Sequence, residues 1–189
     1  MKRYIATLAS LALVFGLGAC LLSLTESFEY DVLNEPVPPI PEIDLTGRDG
    51  YLEPIDFTTD SVFEDNKDDI KNVDRVEFHV GMFTRNGDAA ELDISFRKPA
   101  EGTSAPGDWV PILTRVPVPA GTSETKLHVI EYADSGDYIV QDNFALFQKQ
   151  AAIGKMDLLL EAGELEPGVT NDEVVIKKLV IYVAITAGK

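Results

Sequence analysis

The strongest constraint on the fold is a regular alternation of apolar and polar residues on either side of an Asn-Gly pair. In residues 76–82 and 90–96 every second side chain is apolar. Successive side chains of a strand point to opposite faces, so this period predicts two strands with one buried face each. Asn86-Gly87 supplies the two positive-φ residues of a type I′ turn. The pattern therefore predicts a β-hairpin over residues 76–96.

Further strands are predicted along the whole chain. Residues 24–32 alternate with Glu26 as the one polar exception on the apolar face. Residues 109–118 are a further strand candidate, and residues 126–130 are a short strand or the start of one helical turn. Residues 174–186 are so rich in β-branched side chains that they predict a central strand covered on both faces. About seven to nine short strands separated by turns are typical of an antiparallel β-sandwich with Greek-key connections. We expect an immunoglobulin-like arrangement, with a jelly roll as the alternative.

Three segments are less regular. Residues 46–72 are acidic and rich in turn residues, which predicts a long loop with a short strand near 51–57. Residues 142–153 fit a helix that buries Phe144, Phe147 and Ala151 after an Asp142 N-cap, and fit a strand almost as well. The Pro-rich segment at 36–41 is either a stiff spacer or an edge segment that crosses between sheets.

The N-terminal residues carry an ordered signal for export. Lys2 and Arg3 precede an apolar run over residues 5–18, which is long enough for the core of a signal peptide and short for a transmembrane helix. The run ends in Leu17-Gly18-Ala19-Cys20, and Cys20 is the only cysteine in the chain.

This segment resembles the lipobox signal peptide of bacterial lipoproteins. The resemblance implies cleavage after Ala19, which divides the chain into a signal peptide at 1–19 and a single domain at 20–189. It also implies that Cys20 becomes the mature N-terminus and carries a diacylglycerol, usually with a third acyl chain on its amine. In enterobacterial lipoproteins an Asp after the cysteine favours retention at the inner membrane, so Leu21 favours an outer-membrane, lipid-anchored location in the bacterial cell envelope.

Charge and cysteine usage exclude several function classes. The formal charge is −16, and losing Lys2 and Arg3 with the signal peptide takes it to −18. Such a surface repels phosphate backbones, so we expect no nucleic-acid partner, and membrane contact through the lipid alone. With Cys20 as the only cysteine, the domain has no internal disulfide, thiol nucleophile or cysteine metal ligand.

No catalytic constellation stands out, and we expect no enzyme. His79 and His128 lie far apart in the sequence, so nothing predicts that they converge on a metal. Ser104 lies in a Gly/Pro loop without the strand–turn–helix setting of an activated serine. Acidic residues are so frequent that close carboxylate pairs are expected by chance, and none is nominated as a hydrolase pair.

Two groups of residues are candidates for binding. The first is an acidic cluster over residues 64–69, which offers oxygen ligands of the kind that calcium prefers, although it lacks the spacing of an EF-hand. Its members are Glu64, Asp65, Asn66, Asp68 and Asp69. Otherwise the cluster is a solvated loop, and no cofactor is needed. Trp109 is either a core residue or an aromatic platform for a sugar.

Together these features predict a membrane-anchored envelope lipoprotein whose domain is a non-catalytic binding or structural module. Its partner, a protein or surface polymer of unknown identity, would be bound through the loops at the ends of the sandwich. The alternative is a calcium- or carbohydrate-binding adhesion module. A hydrolase that uses two carboxylates is a distant third.

Overall fold

A computed structural model of the chain describes residues 23–34, 38–46, 50–85, 90–118, 128–133, 136–163 and 174–188. The strands in this part are β1 (Ser23–Asp31), β2 (Ile43–Asp44), β3 (Tyr51–Asp56), β4 (Ile70–Thr84), β5 (Ala90–Arg97), β6 (Val110–Val118), β7 (His128–Ala133), β8 (Lys155–Gly163) and β9 (Val174–Gly188). The helices are α1 (Ser61–Asn66) and α2 (Gln141–Ile153), and a 3-10 turn spans Phe57–Thr59.

The strands form two antiparallel sheets that pack face to face, which confirms the predicted β-sandwich. Sheet A has the order β1-β9-β4-β7, with β2 also paired to β9, and sheet B has the order β3-β8-β5-β6. The pairs are nested, since β1 joins β9, β3 joins β8, β4 joins β7 and β5 joins β6. This nested pairing is the jelly-roll order, which was the alternative expectation. The immunoglobulin-like arrangement that we expected first would pair more of its consecutive strands within one sheet.

The predicted hairpin over residues 76–96 is wrong. Both strands exist, but β4 lies in sheet A and β5 lies in sheet B, so the chain crosses between sheets where a hairpin turn was expected. Asn86 and Gly87 themselves lie outside the described residues. Alternation specifies that one face of each strand is buried, and both β4 and β5 bury that face in the same core. It does not specify which strand lies alongside.

Strand β9 is the central strand that its composition predicted. It pairs with β4 along one edge and with both β1 and β2 along the other. Strands β1 and β2 pair with the same edge of β9 and run in the same direction, so the chain leaves this edge after β1 and returns to it at β2. The Ile40 amide donates to the Leu33 carbonyl at 2.7 Å, which closes this connection. The described part of the Pro-rich segment therefore makes no crossing between sheets.

The long loop predicted at 46–72 is largely regular structure. It contains β3, the 3-10 turn and α1, and then joins β4. Asp56 accepts a hydrogen bond from the Thr58 amide, and Asp60 accepts from the amides of Val62 and Phe63. These carboxylates cap the two short helical turns by satisfying their free N–H groups.

Aromatic packing fixes these helical turns on sheet A. Phe28 of β1 contacts Phe57 and Phe63 edge to face, with ring centroids 5.4 and 5.9 Å apart. This geometry places the positive edge of one ring against the negative face of the other. The acidic residues that follow are therefore attached to a packed element.

Residues 141–153 are helical, and α2 buries the three predicted residues Phe144, Phe147 and Ala151. The N-cap is Val140, without a side-chain cap, so the predicted Asp142 cap is wrong. Phe147 inserts between the sheets, with ring centroids 5.4 Å from Phe78 of β4 and 5.2 Å from Phe96 of β5. The helix covers the part of β4 that β7 leaves unpaired.

The strand directions define two ends of the sandwich. The first pole carries the start of β1, the start of β4 and the end of β9, because Ser23 and Ile70 pair with Gly188 and Ala187. The second pole carries the opposite ends of the same strands. None of the described helices is long and apolar enough to cross a membrane.

Candidate functional site

The acidic cluster is spread over α1 and the turn that follows it. Glu64 and Asp65 lie on the exposed side of α1, and Asp68 and Asp69 are exposed in the turn. Lys67 forms an ion pair with Glu64. In the described ranges no group of three or more His, Cys, Asp or Glu side chains is arranged to hold a metal ion. The cluster thus has the ligand types that calcium prefers without a convergent arrangement.

Asn66 differs from its neighbours because its side chain is used inside the fold. It is 8% exposed. Its amide donates to the Val62 carbonyl at 2.8 Å and to the Glu26 carboxylate at 3.0 Å. Glu26 is the residue that broke the apolar alternation of β1, and Asn66 supplies its hydrogen-bond partner.

The two histidines lie at different positions of the β4–β7 ladder. His79 lies opposite Glu131 on the β4–β7 ladder, and His128 lies opposite Met82. The His79 Nε2 atom is 3.0 Å from a Glu77 carboxylate oxygen, and Glu77 also pairs with Arg75. His79 is therefore part of a charged network on the outer face of sheet A.

The outer face of sheet B carries a cluster of ion-paired side chains beside an aromatic ring. Asp157 of β8 lies opposite Arg97 of β5, and the Arg97 Nε atom is 2.9 Å from the Asp157 carboxylate. The guanidinium carbon also lies 4.3 Å from the centroid of the Trp109 ring, a cation–π contact. Trp109 is half-buried and is not among the core residues, so the first of its two predicted roles, as a core residue, is wrong.

An apolar row lies beside this cluster. Leu52 of β3 and Leu159 of β8 are paired neighbours, two positions from Asp157 along the sheet, where side chains share a face. Leu52 is 46% exposed. We call the group of Trp109, Arg97, Asp157, Leu159 and Leu52 the Trp109 surface. It combines an aromatic ring, aliphatic side chains and a charged hydrogen-bonding pair.

A second charged group lies further along the same face, around a bulge in β6. Arg115 has a φ of 56°, the only positive φ of a non-glycine residue in the described part. Its backbone N–H donates to the Asp93 carboxylate at 2.6 Å, and its guanidinium binds both oxygens of Glu91. These contacts hold Arg115 in a conformation that L-residues disfavour.

The same group contains the nearest approach to a carboxylate pair. Asp93 lies opposite Glu161 on the β5–β8 ladder. Burial raises the pKa of Glu161, and the charge of Asp93 raises it further. A hydrolase needs two acids in a cleft where substrate is held between them. This pair lies on a sheet face, and Asp93 already binds the Arg115 amide.

The described structure also has a groove between α2 and the start of β4. Its volume is about 220 Å³, and it is lined by Lys71, Asn72, Val73, Ala145, Gln148, Lys149 and Ala152. The Gln148 side chain donates to the Val73 carbonyl at 3.3 Å. Helix α2 thus lies along the edge of β4 and contacts its backbone through the Gln148 side chain. The groove is the space beside this contact.

Sequence reasoning identified the polar face of β5 but none of its ion pairs. Arg97 and Asp157 are sixty residues apart in sequence, so no local spacing could have joined them. Other predicted features lie outside the described residues, namely Cys20 with its signal peptide and the Asn86-Gly87 turn.

Comparisons with known proteins give no family. No protein-family model and no curated protein matches the chain. Among solved structures, it is similar to the N-terminal endo-1,4-beta-D-xylanase 10B of Clostridium thermocellum, CBM22-1 and GH10 modules complexed with xylohexaose, with 12% identity and a TM-score of 0.40. That match covers 87% of this chain and 25% of the xylanase chain. The chain is also similar to a structure of Desmodium yellow mottle tymovirus, with 6% identity, a TM-score of 0.32, and coverage of 88% and 83%.

Proposed function

We propose that this protein is a lipid-anchored bacterial envelope lipoprotein whose β-sandwich is a non-catalytic binding or structural module. The observation that carries the proposal is the ordered signal that ends at Cys20, with the first strand of the sandwich starting at Ser23. An acyl chain contributes about 0.8 kcal/mol per buried CH₂, and two or more chains make a stable anchor. An acylated Cys20 would therefore hold the domain at a membrane that its acidic surface does not itself attract.

A binding or structural role is favoured over catalysis by the way that the charged groups are used. Three carboxylates on the outer face of sheet B, Asp157, Glu91 and Asp93, accept hydrogen bonds from Arg97 or Arg115. A general acid or base needs a proton-exchanging group beside a bound substrate. Side chains already committed to ion pairs on a sheet face serve the stability of the fold, or contact with another molecule.

The anchor is tested by changing Cys20 to Ala in the full chain, expressed in a bacterium that acylates lipoproteins. The expected result is loss of fatty-acid labelling and release from the detergent phase. The neighbouring Leu21→Ala variant is the matched control and should keep both properties. If the Cys20→Ala protein is still labelled and still partitions into detergent, the proposed anchor is wrong. Cross-linking of the native protein in cells, followed by purification, then identifies the partner.

The Trp109 surface supports a second candidate, carbohydrate binding. A sugar ring has apolar C–H faces that pack on aromatic or aliphatic groups, and hydroxyls that pair with charged groups such as Arg97 and Asp157. Because Trp109 is the only tryptophan, intrinsic fluorescence reports on this surface directly. Oligosaccharides from envelope and plant polysaccharides should change that fluorescence in a saturable way.

Variants separate sugar binding at this surface from binding elsewhere. In an assay on immobilised polysaccharide, Trp109→Ala should abolish retention and Tyr138→Ala should not, because Tyr138 is an exposed aromatic that packs on Tyr132 instead. Equal retention of both variants, or no retention of the parent, would remove this candidate and leave the lipid anchor untouched.

A further inference from the structure

The first described strand starts a short distance along the chain from Cys20. Strand β1 begins at Ser23, three residues beyond Cys20. A fully extended chain advances at most ~3.6 Å per residue, so the Cα atoms of Cys20 and Ser23 are at most about 11 Å apart. The Pro-rich segment does not lengthen this tether because it follows β1 in the chain.

Ser23 also marks one particular end of the sandwich. It pairs with Gly188 of β9, and the Gly188 amide donates to the Asp69 carbonyl at 3.0 Å. Lys71 lies against Gly188 as well, since a Cβ added there would meet its side chain. The first pole is thus formed by Ser23, Gly188, the turn over residues 67–69 and the start of β4.

The opposite pole lies far from this point. Strand β9 has 15 residues. At ~3.3 Å per residue the strand is roughly 45 Å long, about four times the reach of the tether. A short tether at one end of an elongated body restricts which surface can meet the membrane.

We propose that the anchored protein stands with its first pole on the headgroup surface of the bilayer that carries the lipid, and its second pole directed away. The proposal rests on the lipid anchor of the preceding subsection. The contacting surface is the turn over residues 67–69 with the starts of β1 and β4 and the end of β9. Its exposed charges, Lys67 and Lys71 against Asp68 and Asp69, balance one another, which suits a zwitterionic headgroup layer.

Energy transfer from single labels on the protein to the lipid surface tests this orientation. Acylation blocks the thiol of Cys20, so an introduced cysteine is the only free thiol in the mature chain. Asp68→Cys places a donor on the first pole. Lys178→Cys places a matched donor at another exposed position, ten residues from Gly188 along β9 or about 33 Å. The acylated full-length variants are reconstituted into phosphatidylcholine vesicles that contain a headgroup-linked acceptor.

We expect transfer to be several-fold more efficient from position 68 than from position 178. Equal transfer, as for a domain lying on its side, or stronger transfer from position 178, would overturn the orientation. Each variant is first checked for acylation by detergent partitioning and for folding by its denaturation midpoint. Loss of acylation in the parent would instead reject the lipid anchor, so the two failures are distinguishable.

Discussion

The side-chain amide of Asn66 donates a 3.0 Å hydrogen bond to the Glu26 carboxylate, which joins α1 to β1. Asn66 is one of the candidate calcium ligands, but in this contact its amide stabilises the packing of α1 on β1. We expect Asn66→Ala to lower the free energy of unfolding by about 1–3 kcal/mol, because it leaves buried polar groups without partners. The exposed neighbour Asp65 is the control, and Asp65→Ala should have little effect. Urea denaturation measures both, and equal losses would contradict this assignment.

The acidic cluster itself should be dispensable. The triple change of Asp65, Asp68 and Asp69 to Asn removes charges that repel one another, so stability at low salt should stay the same or rise by no more than about 0.5 kcal/mol. The measurement is thermal denaturation with and without calcium, with magnesium as control. A calcium-dependent rise in the parent that disappears in the triple variant would contradict a solvated cluster and support the calcium-binding alternative.

Arg97→Ala should lower the free energy of unfolding more than Arg115→Ala, because Arg115 is the more exposed of the two arginines on the outer face of sheet B. Asp157 is 9% exposed, and Arg97→Ala leaves its carboxylate without its cationic partner. Hydrogen bonds to charged groups contribute about 1.5–3 kcal/mol, and we expect a loss in that range. The same change should alter the emission of Trp109 in the folded protein, because the cation over its ring is removed. An unchanged spectrum and denaturation midpoint would contradict the contact.

Arg115 allows backbone strain to be separated from ion pairing. Arg115→Ala and Arg115→Gly both remove the contact with Glu91, but only glycine adopts a φ of 56° without a steric cost. We expect the Gly variant to have the higher denaturation midpoint of the two. If alanine is tolerated better, the Asp93 contact to the Arg115 amide does not hold the strained conformation in solution.

Glu53 should make stability depend on pH. It is 7% exposed, and burial raises its pKa above the ordinary value of 4.5 despite a hydrogen bond from Tyr51 that lowers it. The folded state then holds this proton more tightly than the unfolded state, so stability falls as pH rises from 4.5 through the folded pKa.

Glu53→Gln removes that loss and retains an acceptor for Tyr51. We expect this variant to be more stable than the parent at neutral pH, with the difference vanishing below pH 4.5. The control is Glu29→Gln, a change at an exposed carboxylate. Denaturation across this pH range tests the prediction, and a difference that persists at acid pH would falsify it.

The alternation of apolar and polar residues predicted where the strands lie, but it did not predict which strands pair with one another. The alternation around β4 and β5 identified the buried faces, since burial acts on each residue separately. The Asn86-Gly87 pair between them predicted local pairing, but both strands pair with distant segments. Asp56 and Asp60 are residue types that favour helix N-caps, but the acidic, turn-rich composition around them predicted a loop instead.

The candidate site was harder to predict than the fold. Glu91, Asp93 and Arg97 were correctly placed on a polar face, but the groups that they bind come from β6 and β8. Only the sheet order brings these residues together. Trp109 shows the same limit, because its contact with Arg97 of β5 is likewise brought about by the sheet order.

The nested pairing also determines when the domain can fold. The central strand of sheet A is β9, the final strand in chain order, and it pairs with β1, β2 and β4. A nascent chain that still lacks β9 leaves these three strands without their shared neighbour. Contacts of such long sequence separation slow folding, because loop-closure entropy is lost before the contacts form. A chain with this topology cannot complete sheet A until β9 is available for pairing, which is compatible with the export that we propose for it.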